Sequence, residues 1–159
     1  MAKKKTPEEI AEDEARTTPA GIFHRAEGYW LSAKALQKAK VKHGHAHSPV
    51  RFLYYHAIEL YLKAFLRQKK HTVDELSSSK FGHKTNRLSA RAEELGLVFD
   101  EDDKELFGMM GDTDIVIRSR YIRTGAATWP TFESLNATCE NLREDVGRVL
   151  IEAGAAVRL

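Results

Sequence analysis

His56, Glu59 and Lys63 follow one another at steps of three and four residues, so a helix carrying them lines all three along one row. Together they form a set with chemical capability. An imidazole moves protons near neutral pH, a carboxylate orients it, and an ammonium neutralises an anion. Three further groups extend the set. His83 follows Gly82 at the start of a later helix. Arg118, Arg120 and Arg123 lie within six residues of one another beside Tyr121, the densest positive patch in the chain. Brought together, these side chains suit a phosphate-binding pocket in which His56 or His83 transfers protons and the arginines neutralise charge. The same side chains equally suit an internal ion-pair network that fixes helix register, with Glu59 neutralising Lys63 or Arg120.

The element that must position this row is Ser48–Lys70. Ser48 can cap a helix and Pro49 fits its first turn. Leu53, Ala57, Leu60 and Ala64 form one apolar row, and Tyr54, Ile58, Tyr61 and Phe65 form the next. So apolar a helix belongs at the centre of a bundle, covered on two or three sides. Its polar row therefore lies against the core. Around it the pattern gives a helix from about Thr18-Pro19 to Lys42, another through Leu95 with Gly96 past its end, and one after Asp100 interrupted near Gly111-Asp112. A last helix is capped by Thr131. Its seam, Phe132, Leu135, Cys139, Leu142, Val146, Val149 and Ala153, suits packing along the bundle or against a second copy. No strand pattern stands out. The expected fold is all-α, an up-and-down bundle of four to five antiparallel helices. Residues 1–16 are polar and could form a frayed helix from Pro7, but with Ile10 their only large aliphatic side chain they read as a flexible arm before a single domain over 17–159. Val73–Lys80, with its three serines, reads as a mobile connection.

Composition excludes several classes. A chain of 159 residues, 42% hydrophobic and 30% charged, is one ordinary globular domain. The net charge of +2 demands neither nucleic acid nor membrane, so any basic surface has to be local. Cys139 is the only cysteine, which excludes an internal disulfide and any multi-cysteine metal site; on an apolar seam it reads as packing. No apolar run reaches membrane-spanning length and no secretory segment follows Met1, so the expected setting is cytoplasmic. His43, His45 and His47 alternate in a loop but lack a neighbouring carboxylate or cysteine to complete a coordination sphere, so no metal or other cofactor is expected. Tyr54, Tyr55 and Tyr61 could stack on bases, but the spacing of Tyr54 and Tyr61 makes them core or interface residues first. Trp129 is the better exposed aromatic, and Lys3–Lys5 reads as a solvated tail.

Three short motifs in order, His56-Ala-Ile-Glu59-Leu-Tyr-Leu-Lys63-Ala64, then Gly82-His83, then Arg120-Tyr121, resemble the HEPN superfamily over roughly Gly21–Ala153. The resemblance implies a bundle of four or five helices, usually a homodimer, often associated with RNA in prokaryotes. Many such proteins are metal-independent ribonucleases in toxin–antitoxin or defence systems. Some pair with a nucleotidyltransferase; others bind or scaffold without cleaving. The nuclease motif of the superfamily is an arginine followed by a histidine four to six residues on, placed after the Gly-His helix. The corresponding region here, Arg118–Gly125, contains no histidine. Arg51 and His56 have the spacing but lie on the central helix, with Phe52 where the superfamily prefers a polar residue. Residues five apart on a helix also point about 140° away from each other, so they meet one ligand only at a dimer axis or a distorted helix start. The expectation is an RNA- or nucleotide-binding protein with a degenerate or displaced nuclease motif. Its alternatives are an active metal-independent endoribonuclease using Arg51 and His56, and a non-catalytic dimeric scaffold for a protein partner such as a cognate antitoxin.

Overall fold

The computed structural model describes residues 5–39, 41, 47–111 and 129–159, His47 by its backbone alone. Among them are seven helices and no strand: α1 (Pro7–Arg16), α2 (Pro19–Ala39), α3 (His47–Gln68), α4 (Val73–Ser77), α5 (Thr85–Glu94), α6 (Glu101–Met110) and α7 (Phe132–Glu152). The protein is an all-α helical bundle. Expectations concerning His43, His45, the His47 side chain, Lys3, Lys4, Arg118, Arg120, Tyr121, Arg123 and the helix beyond Gly111 fall outside the described residues or atoms.

Helix ends follow local chemistry. Thr131 and Asp100 accept backbone N–H groups from Ser134 and Asp103, capping α7 and α6. Three helices close with the same reversal. Leu97 N–H bonds Ala92 O after α5, Ala155 N–H bonds Leu150 O after α7, and His71 N–H bonds Leu66 O after α3. The turn position is Gly96 or Gly154 in two cases and Lys70, at φ 72°, in the third. A glycine is not obligatory there, but Lys70 holds a conformation that L side chains seldom adopt.

α3 is the central rod, as its apolar faces require. Tyr54, Tyr55, Ala57, Ile58, Tyr61, Leu62, Ala64, Phe65 and Leu66 are all buried. Contacts along its length give the directions of its neighbours. Thr17, Phe23, Tyr29 and Gln37 meet Arg67, Tyr61, His56 and Tyr54 in turn, so α2 runs antiparallel to α3. Trp30 bonds Asn136 and Glu27 bonds Arg143, so α2 is also antiparallel to α7, which therefore lies parallel to α3. Glu93 meets Lys104, and Asn86 N–H bonds Gly111 O, so α6 returns antiparallel to α5. The chain from Lys69 to Lys84 folds back along α3, so that His83 lies beside Glu59 and α5 then runs the same way as α3, bringing Arg91 to His71.

Three elements differ from the sequence reading. Residues 1–16, read as a flexible arm, contain the capped helix α1: Thr6 and Glu9 form a reciprocal capping box, with Pro7 in the first turn. The connection after α3 contains α4, capped the same way by Thr72 and Glu75. On α7 the buried seam residues are Leu135, Cys139, Leu142, Val146 and Leu150, with Thr138 and Gly147 buried beside them, while Ala153 is exposed and Val149 only partly covered. A straight helix at 3.6 residues per turn drifts off a seven-residue repeat, so the seam slides by one residue over its length. Gly147 allows this face to seat closely. A Cβ there would collide with Leu159 and stand 3.2 Å from Phe23 Cζ.

Candidate functional site

Glu59 lies midway along α3 and is 1% exposed. Lys63, one turn on, donates from Nζ to Glu59 Oε1 at 2.6 Å. His83 approaches from outside α3. The turn Phe81–Lys84 is closed by Lys84 N–H to Phe81 O, anchored by the buried Phe81 ring, and passes through Gly82 at φ 36°. It sets His83 Nδ1 at 3.1 and 3.0 Å from the two Glu59 oxygens. His56, one turn before Glu59, has its Nδ1 3.7 Å from Oε2, too long for a hydrogen bond. Its ring is held by the edge of Tyr29 at 4.4 Å and stacks with Phe52 at 5.9 Å. His56 Nδ1 is buried without a hydrogen-bond partner among the described residues.

Burial alone would raise the Glu59 pKa, but His56, Lys63 and His83 outweigh it and draw the carboxyl down to about 2. The ionised carboxylate has no proton to donate. Nδ1 of His83 must therefore carry the hydrogen in this contact, which leaves Nε2 as the free end of the ring. His83 has a third of its side chain exposed, Lys63 and His56 less, so the cluster opens to solvent on their side and is sealed beneath Glu59. The arrangement can present an oriented imidazole and an ammonium to an anion, with Glu59 fixing both.

Arg51 does not join them. Its Nη1 donates to Pro130 O at 2.6 Å, and its guanidinium lies over the rings of Trp129 and Phe132 at 5.2 and 5.1 Å. It is turned to the start of α7, while His56 is turned to α2 and Glu59. Within one chain the structure thus brings together Glu59, Lys63, His83 and His56, and separates Arg51 from His56 as their angular spacing requires. Tyr54, Tyr55 and Tyr61 are core residues, buried beyond the reach of a base. Burial raises the Tyr54 hydroxyl to about 12 and moves Tyr61 up as well. Trp129 is 41% exposed but carries Arg51 on its face. Cys139 is wholly buried and its thiol pKa raised by that burial, the state of an inert packing residue.

Two polar groupings lay outside the sequence reading. Asp103, 3% exposed, accepts from Thr138 Oγ1 at 2.6 Å and Asn141 Nδ2 at 3.1 Å, tying α6 to α7. Its signal was faint: a carboxylate three residues after the Asp100 cap. Arg67, one turn beyond Lys63, holds the end of α1 through Glu14 and Thr17. The Thr6–Glu9 spacing could have exposed that helix, though not its partner. Between Lys63 and Arg91 the chain carries eight Lys or Arg side chains against only Asp74 and Glu75. Of the eight, Lys63, Arg67 and Arg91 pair with Glu59, Glu14 and Glu94, while Lys69, Lys70 and Lys80 are exposed. No described helix is long and apolar enough to cross a membrane, and no cluster of three metal-ligating side chains occurs among the described residues.

No protein-family model, no curated protein and no solved structure matches the chain.

Proposed function

We propose that this protein is a HEPN-like RNA- or nucleotide-binding protein, cytoplasmic and homodimeric, that binds phosphate rather than cleaving it, in a prokaryotic defence or toxin–antitoxin setting. The observation that carries this reading is the pairing of an anchored polar centre with a basic surface. His83 and Lys63 are held on the buried Glu59 carboxylate, within the stretch that concentrates eight cationic side chains. Phosphates neutralised by such side chains release counterions, which gives affinity that falls steeply with salt. Cleavage through Arg51 and His56 is the weaker reading. Arg51 is engaged with Pro130 and the rings beside it, and His56 faces another helix. A scaffold for a protein partner needs none of this basic concentration.

Anisotropy of a labelled oligouridylate over a salt series tests the reading. Binding is expected at low salt, and Lys69→Ala/Lys80→Ala, two exposed cations, is expected to weaken it by about tenfold and to lower the salt slope by about two. Mixed RNA in EDTA, with wild type beside His56→Ala, is expected to remain uncut by both. Absence of any binding at low salt would leave the scaffold; cleavage lost only in His56→Ala would install the nuclease.

A further inference from the structure

Helix α1 carries five carboxylates, Glu8, Glu9, Glu12, Asp13 and Glu14, in ten residues and has no buried residue. It is held at the end of α3 by polar contacts. Arg67 Nη2 meets Glu14 Oε2 at 2.7 Å and donates to Glu14 O at 2.8 Å, while its Nε donates to Thr17 O at 3.0 Å. Glu14 Oε1 accepts the Val73 N–H ahead of α4. Arg67 follows Lys63 by one turn on the row that starts at His56 and Glu59. Lys69 and Lys70 beside it are exposed and make no ion pair among the described residues. At the α1–α2 junction a cavity of about 280 Å³ is lined by Arg16, Thr17, Arg25 and Leu60. An acidic helix thus reaches the basic end of the central rod through Glu14, one of whose carboxylate oxygens meets Arg67 Nη2, while backbone oxygens of Thr17, His71 and Glu14 accept from the guanidinium.

We infer that α1 is an internal polyanion mimic, competing with RNA for the cationic end of α3 around Arg67; this rests on the RNA-binding reading above. Glu14 offers Arg67 a single anionic oxygen at Nη2, and a phosphate oxygen can take that place, with Nε and Nη2 released from the Thr17 and Glu14 carbonyls as α1 lifts. α1 buries none of its own side chains, so lifting it gives up mainly polar contacts of the helix. Its loss is offset when phosphates reach Arg67 together with Lys63, Lys69 and Lys70. Bound, α1 lowers the affinity of the protein for RNA; RNA in turn releases α1, since the coupling is reciprocal.

Hydrogen exchange of the full chain, with and without an oligouridylate, reads the release directly. Amides of residues 8–16 are expected to exchange faster when the oligonucleotide is bound. Glu14→Ala is expected to speed the same amides without RNA and to tighten binding by about fivefold. Arg67→Ala, which removes both the clamp and a phosphate contact, is expected to free α1 without tightening binding. Binding that leaves the α1 amides as protected as before, with Glu14→Ala at wild-type affinity, would overturn the inference alone. No binding by any of the three proteins at low salt would remove the RNA-binding reading and the inference with it.

Discussion

Glu59 and Glu14 each hold a cation of α3, Lys63 and Arg67, one turn apart on the same helix and at similar distances of 2.6 and 2.7 Å. Their surroundings separate them. The Glu59 side chain is 1% exposed and is also approached by two imidazoles, whereas that of Glu14 is 27% exposed and belongs to a helix with no buried residue. Coulomb attraction at one distance has different consequences in the two places. Beneath α5 and beside α2, water cannot replace a lost partner, so removing Glu59 strands the charges around it. At the end of α3, water and ions can substitute for Glu14, and the pair is worth little net energy. The inner pair can fix the register of α3 and the 81–84 turn; the outer one can open.

Glu59→Ala separates the two carboxylates most strongly. It leaves Lys63, His56 and His83 facing one another without a carboxylate, and is expected to cost about 3–5 kcal/mol in urea unfolding. A cost under about 1 kcal/mol would mean that solvent reaches the centre, and the distinction from Glu14 would fall.

Acid titration sharpens the same contrast. The Glu59 carboxyl lies at about 2 in the fold against an ordinary 4.5, depressed despite its burial by His56, Lys63 and His83. The folded state therefore binds this proton less readily than the unfolded chain. The stabilisation is fully present above about pH 5 and is lost as pH falls through about 2, on the order of 3 kcal/mol in total. Glu59→Gln should remove that part of the acid slope. Glu14→Gln, measured alongside, should leave it in place. A wild-type curve that is flat between pH 5 and 2 would show that the cluster does not hold the carboxylate ionised.

The legible parts of the molecule are those set by local spacing. The burial of α3 followed from two apolar rows, and the alignment of His56, Glu59 and Lys63 from steps of three and four. The same geometry explains why Arg51 and His56 part. By contrast, the return of the chain that sets His83 on Glu59 is a long-range event. Periodicity carries no information about it, and only the order of short motifs suggested that the two residues belong together. Neither α1 nor α4 has an apolar stripe for periodicity to find, so the sequence suggests only a frayed helix from Pro7 and a connection after α3. Both form instead around reciprocal caps, Thr6 with Glu9 and Thr72 with Glu75, and α1 is held by a side chain fifty residues away. The clamp on Arg67 was hidden in the same way. Positive charge at a helix C-terminus is accounted for by the helix dipole alone, and nothing in the sequence marks Glu14 among its acidic neighbours.

The smallest effect is the one that decides what α1 is. Glu14→Gln keeps the shape of the side chain and an acceptor for the Val73 N–H, and removes only the charge that faces Arg67. For a partly exposed pair the expected loss is under about 1 kcal/mol of global stability, so the urea midpoint should barely move. Amide exchange within residues 8–16 should nevertheless accelerate, because those residues have no buried side chain to hold them once the clamp weakens. Added salt should do the same to the wild type by screening the pair, while leaving the amides around Glu59 protected. A midpoint shift as large as that of Glu59→Ala would make α1 an integral wall of the bundle. In that case the two carboxylates would differ in exposure alone, and a helix that cannot leave could not compete with RNA.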